Sequence, residues 1–195
     1  MIGFDIDGVI ANSLVVVDDE FERVLGKRVF ENQTEWTIDA SKLPMTNVCG
    51  FITDALIDRT GSIRPFDNAV NYMFKIWTDF IKGSNIKAIP IITAREYKTK
   101  QTTEIWLNKY INGIFPWKLY YSSNKLEIIE DLKLSFFVED RHKTCCRLSR
   151  YCKTFMVNQP WNVKYDISNN NSITRVNDIK DVYGILEKEA VKKEK

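Results

Sequence analysis

Short apolar runs rich in β-forming residues recur along this chain, at residues 2–4, 86–92, 118–121, 135–138 and 154–157. Most are separated by stretches long enough for a helix. Strands that alternate with helices have few ways to bury their apolar faces, and the pattern predicts a parallel sheet covered by helices on both sides, an α/β fold. Residues 67–81 place Ala69, Val70, Met73, Phe74, Trp77 and Ile81 near one helical stripe. Further helices are predicted over 98–111, 142–151 and 176–189, and "SNNNS" at 168–172 reads as a polar loop.

One interval breaks the rhythm. Residues 5–85 separate the first two runs, where a parallel crossover needs only a dozen residues or a little more. The segment 67–81 can serve as that crossover, with Arg64-Pro65 marking its start. Residues 13–63 are then an insertion. Its first half, "LVVVDDEFERVLG", has helix-compatible spacing and ends on Gly26. The predicted organisation is a core of residues 1–12 and 64–195 with a small, mostly helical cap of residues 13–63.

Composition enters mainly by exclusion. The 195 residues carry 28 basic and 26 acidic side chains, a net charge of +2. That balance gives no reason to expect a membrane surface or a stable nucleic-acid partner. No apolar run has the length of a membrane span, and the N-terminus lacks the basic lead of a signal peptide, so a cytoplasmic protein is expected. Cys49, Cys145, Cys146 and Cys152 show no C-x-x-C spacing and read as free thiols. With His142 the only histidine, a zinc site lacks ligands.

In an open parallel sheet, ligands bind beyond the carboxyl ends of the strands. Reading the residues just after each run is therefore informative. The first run delivers Asp5 and Asp7, and Gly8 permits a tight departure of the chain. The second delivers Thr93, Ala94 and Arg95. After the third comes Lys125, opening the next helix, and the fourth delivers Glu139 and Asp140. Like charges this close are costly without a cation. Hard oxygen ligands favour Mg²⁺, which completes its shell with water and a substrate phosphate. A carboxylate shielded by metal and lysine can attack phosphorus, and a second one can protonate the leaving oxygen. In Asp5-Ile6-Asp7 the middle residue would point into the core, leaving both carboxylates on one side.

These four stretches, in this order, resemble the motifs of the haloacid dehalogenase superfamily: Asp5-x-Asp7-Gly8-Val9, Thr93, Lys125 and Glu139-Asp140. The resemblance implies a Rossmann-like core, with residues 13–63 standing where that superfamily places its C1 cap. The stretches "DIDGVIANS", "FVEDR" and "FMVNQPWN" look most like the 5'(3')-deoxyribonucleotidases. That narrower resemblance implies hydrolysis of nucleoside monophosphates, with Asp5 as nucleophile and Asp7 as general acid/base. Asp5, the Asp7 carbonyl and Asp140 would hold Mg²⁺, while Thr93, the Ala94 N–H and Lys125 would bind phosphate. Two departures stand out. Thr-Ala-Arg replaces the usual Thr-Ser, so Arg95 either grips phosphate or pairs with an acid. Glu-Asp replaces Asp-Asp, leaving open whether Glu139 meets the metal directly.

Around the site, Trp36 and then Phe51 are the candidates to stack on a nucleobase. Gln159 or Trp161 could line the entrance, against a plain turn with a packed tryptophan. The expected activity is a Mg²⁺-dependent phosphomonoesterase acting on a small nucleotide substrate, and homodimerisation is left open. The rivals are a phosphatase of sugar phosphates or nucleic-acid ends, and a non-catalytic nucleotide-binding protein.

Overall fold

A computed structural model describes residues 1–30 and 43–193. Six strands form one parallel sheet: β1 (Ile2–Phe4), β2 (Ile89–Thr93), β3 (Trp117–Tyr121), β4 (Phe136–Glu139), β5 (Lys153–Val157) and β6 (Ile173–Val176), in the order β3-β2-β1-β4-β5-β6. The helices are α1 (Ser13–Leu25), α2 (Val48–Asp58), α3 (Ala69–Ile76), α4 (Lys100–Ile111), α5 (Lys125–Asp131), α6 (His142–Leu148) and α7 (Ile179–Lys193). This is the expected α/β architecture, and the strand order reverses direction between β1 and β4.

Alternation along the strands sorts the apolar side chains onto the two faces of the sheet. Ile91 and Val138 face one cluster, together with Phe4, Met73, Ile76 and Val182. Their neighbours Ile92 and Phe137 face the other, with Ile129 and Leu148. A period of two turns successive side chains to opposite faces, so both faces of the sheet are covered. None of the helices among the described residues is long and apolar enough to cross a membrane.

Several boundaries differ from the periodicity reading. The crossover predicted over 67–81 begins at Ala69, because Asn68 sits at φ 62, and it ends in one π-helical turn, Trp77–Ile81. The final helix begins at Ile179, and residues 173–176, only the last of which fell in the predicted helix, form β6 instead. That strand has just four residues, and its two central ones, Thr174 and Arg175, are half-buried, so it carries no apolar signature of its own.

Two backbone hydrogen bonds tie together the segments that flank residues 13–63. The Asn12 N–H donates to the Arg64 carbonyl at 2.9 Å, and the Phe66 N–H to the Ile10 carbonyl at 2.8 Å. Between these points, α1 ends on Gly26 at φ 71, a left-handed position that glycine fills without strain. Phe21 of α1 packs on Phe51 of α2 with ring centroids 4.6 Å apart. Asn47 caps α2 by accepting from the Gly50 N–H at 2.8 Å.

Candidate active site

The reversal of strand order between β1 and β4 opens a crevice at the carboxyl edge. Asp5 follows β1 directly and stays tied to its neighbour through its N–H, which donates to the Val138 carbonyl at 2.9 Å. Ile6 is fully buried, as the alternation requires. Gly8, at φ 75, turns the chain, and a Cβ there would lie 2.3 Å from Asp140 Oδ2. No side chain fits in that space, so glycine is needed on both counts.

Across the crevice, β4 ends on Glu139, with Asp140 next. Oxygens of Asp5, Glu139 and Asp140 lie within 4.8 Å of one another, and all three residues are buried. Lys125, the first residue of α5 and only 5 % exposed, reaches between them. Its Nζ stands 2.8 Å from Asp5 Oδ1 and 2.7 Å from Glu139 Oε2. Glu139 Oε1 accepts the N–H groups of Asp140 and Arg141 at 3.2 and 3.1 Å. Both oxygens of Glu139 are thus engaged. By contrast Asp140 Oδ1 is buried and has no hydrogen-bond partner.

Arg95 and Asp7 form a second pair. Nε donates to Asp7 Oδ2 at 2.8 Å and Nη2 to Asp7 Oδ1 at 2.6 Å, a two-pronged contact. Nη1 also donates to Thr103 Oγ1 at 3.1 Å. Of the two uses open to Arg95 in the sequence, pairing with an acid is the one seen. Thr93 is buried and its Oγ1 accepts the Arg95 N–H at 3.2 Å, while Ala94 lines the cavity beside them.

The charges explain one another. Burial pushes the Asp5 carboxyl up to about 7; Lys125 opposes that rise, and Glu139 and Asp7 add to it. Burial, with Glu139 and Asp5, pushes Asp140 well above the usual carboxylate range. Burial would also raise Glu139 and Asp7, but Lys125, the neighbouring Asp140 side chain and the Arg141 N–H outweigh it for the first, and chiefly Arg95 for the second, so both end below their usual range. Two of the acids therefore resist ionisation in the protein alone. Together with the orphaned Asp140 Oδ1 and an all-oxygen donor set, this fits a hard divalent cation such as Mg²⁺ at Asp5 and Asp140.

This imbalance has a thermodynamic signature. Asp5 titrates near 7 in the folded chain against 3.8 as its ordinary value. Its contribution to stability is complete below about pH 4 and is lost as pH rises through 7. Asp140 acts in the same direction. His142, lowered by partial burial, works the other way. In EDTA, the melting temperature should fall between pH 5 and pH 8, and Mg²⁺ should raise it more at pH 8 than at pH 5. Calorimetric scans showing an equal Mg²⁺ effect at both pH values would refute this account.

Above the acids lies a cavity of about 490 Å³. Asp5, Asp7, Ala94, Arg95, Arg141 and Trp161 line its base and sides, and Leu14, Val17, Phe30, Val48, Ile52 and Leu56 form an apolar roof. Phe51 lies against Phe21 and does not line this cavity. Trp36 falls outside the described residues. His142 opens α6 and stacks flat on Tyr165 at 4.1 Å, away from the acids' hydrogen bonds.

Residues 158–162, read from the sequence as a turn or an entrance, contribute more than expected. Gln159 Nε2 donates to the Gly8 carbonyl at 2.8 Å, and Trp161 Nε1 to Asp140 Oδ2 at 3.0 Å. Asn162, which the sequence reading passed over, is fully buried and bonds the Asp140 carbonyl. Its signals in the sequence are its place beyond a predicted strand and its position at the end of the stretch "FMVNQPWN".

Solved structures share this architecture. A predicted phosphoglycolate phosphatase from Haemophilus somnus superposes with a TM-score of 0.63 at 14% identity, over 95% of this chain and 97% of that one. A haloacid dehalogenase-like family hydrolase from Xanthomonas campestris gives 0.55 at 11%, over 95% and 93%. The chain has the haloacid dehalogenase-like fold. CbbY from Rhodobacter sphaeroides, solved in complex with phosphate, shares it with a TM-score of 0.55 at 11% identity, over 93% of this chain and 95% of that one. No protein-family model matches the sequence, and no curated protein matches it. The expected fold is therefore present, and the narrower likeness to deoxyribonucleotidases gains nothing from these three proteins.

Proposed function

We propose that this protein is a Mg²⁺-dependent phosphomonoesterase whose substrate is a nucleoside monophosphate, a deoxyribonucleotide by first preference. The observation that carries the reading is the buried set Asp5–Lys125–Glu139 beside the unpartnered oxygen of Asp140, opening into an apolar-roofed cavity. Asp5 and Asp140 would hold the metal, with the Asp7 carbonyl as a further ligand. Mg²⁺, when bound, neutralises charge on the phosphate and lets an anionic nucleophile approach it.

Asp5 then forms the new bond to phosphorus as the bond to the leaving oxygen breaks, and a water that gives its proton to Asp7 cleaves the resulting aspartyl-phosphate, freeing phosphate and the Asp5 carboxylate. Lys125, already held by Asp5 and Glu139, keeps a positive charge where phosphate oxygens gather. Glu139 serves that lysine, since both its oxygens are in use. Asp7 stands two residues on to protonate the leaving oxygen. In the free chain Arg95 holds it as a carboxylate. An incoming phosphate competes for that guanidinium, and any withdrawal of Arg95 makes Asp7 a better proton holder.

Residues 13–63 act in this reading as a cap that closes over the substrate, keeps water out while Asp5 attacks and selects the leaving group. An apolar roof suits the flat face of a base better than the carboxylate of a small phosphorylated acid such as phosphoglycolate. Phosphate release should appear with p-nitrophenyl phosphate, vanish in EDTA and return with Mg²⁺. Across a panel of ribo- and deoxyribonucleoside monophosphates, sugar phosphates and phosphoglycolate, the nucleotides should show the highest kcat/KM. Turnover insensitive to EDTA would overturn the metal reading, and preference for phosphoglycolate would overturn the substrate.

A further inference from the structure

The loop after β5 carries no acid and no lysine over residues 158–162, yet it reaches both acidic strand exits. Gln159 braces the turn at Gly8. Trp161, 6 % exposed, donates its indole N–H to Asp140 Oδ2. Asn162 Nδ2 bridges the Asp140 carbonyl at 2.6 Å and the Val157 carbonyl at 2.7 Å. Arg175 on β6 fixes Asn162 from behind, donating to its Oδ1 at 3.1 Å and to its carbonyl at 2.9 Å. Asp140 is therefore held by side chain and by main chain from a single loop.

The two oxygens of Asp140 end up unequal. Oδ2 has the indole donor on one side and Gly8 close on the other, where a Cβ would lie 2.3 Å away. Oδ1 has no partner. Turning the carboxylate plane away from this setting would cost the indole hydrogen bond. Indole offers one donor and no acceptor, so it orients an acid without competing for a cation, and being neutral it does not repel one.

We infer that Trp161 is a positioning residue for the metal: by engaging Asp140 Oδ2, it presents Oδ1 to a hard divalent cation. This rests on the reading that Asp5 and Asp140 bind such an ion. Partners that orient metal ligands typically contribute about 10–100-fold to affinity when lost.

Calorimetric titration of the full chain, stripped with EDTA, with Mg²⁺ alone tests the assignment. Trp161→Phe keeps a ring in place and removes the donor, and should bind Mg²⁺ about 10–100-fold more weakly. The unmutated protein gives a second readout. Among the resonances of its five tryptophans, the Trp161 indole N–H should shift during the same titration. This measurement decides the matter even where Trp161→Phe fails to fold. Equal Mg²⁺ affinity in a folded Trp161→Phe chain, or an unmoved indole resonance in a protein that binds Mg²⁺, overturns the positioning role alone. A chain that takes up no Mg²⁺ overturns both this role and the metal reading beneath it.

Discussion

Asp5→Asn should lower phosphate release by about 10⁴-fold or more, because an amide cannot make the bond to phosphorus and Asp7 is held by Arg95. The same variant separates function from stability. Asp5 is buried, and its environment on balance disfavours the charge, with a carboxyl pushed up to about 7. Removing that charge should leave the metal-free protein as stable as the parent or more so at pH 8. In Mg²⁺ the order should reverse, since the variant gives up a ligand. Melting curves with Mg²⁺ and with EDTA, set beside steady-state turnover, check all three expectations. Undiminished turnover would remove Asp5 from the role of nucleophile, and a large loss of metal-free stability would show that Asp5 is chiefly structural.

Lys125→Met should have the largest effect on stability. The ammonium group is buried between two carboxylates, at 2.8 Å from Asp5 and 2.7 Å from Glu139. Burial alone would lower its proton affinity, but those two neighbours outweigh it and hold the lysine charged. Methionine fills a similar volume and leaves two acids facing each other without a counter-charge. Breaking a buried ion pair from one side costs about 3–5 kcal/mol. In urea unfolding at pH 8 the variant should show a loss of that order. At pH 5 the loss should shrink, because a carboxyl with a raised pKa can take up a proton in place of the missing cation. Activity should fall as well, since Lys125 is the fixed positive charge nearest the nucleophile. Wild-type stability in Lys125→Met would mean that the triad contributes little to the fold.

Both variants act on contacts that differ in how far they could be foreseen. The strand runs that place Asp5, Glu139 and Asp140 at one edge are local features, and alternation and length suffice to find them. The same holds for the stop at Gly26 and for α4, predicted over 98–111 and found as Lys100–Ile111. β6 escaped because four residues with half-buried Thr174 and Arg175 at the centre show no apolar pattern until a neighbouring strand supplies one. Phe51 was a candidate for the substrate face. It packs on Phe21 instead, against the same apolar cluster that holds Phe4 and Met73, where aromatic bulk fills the space between α1 and α2.

The amino-acid sequence by itself determined the alternation of strands and helices, and with it which acids and which lysine arrive at the carboxyl edge. Tertiary structure decided how they are shared: Lys125 between Asp5 and Glu139, Arg95 on Asp7, Trp161 on Asp140. Secondary structure follows from neighbours a few positions apart. A hydrogen bond between segments 88 positions apart, as between Arg95 and Asp7, exists only once the sheet has brought two strand ends together. Until then a carboxylate has no preferred partner, and the residues that orient it look like any others in a loop.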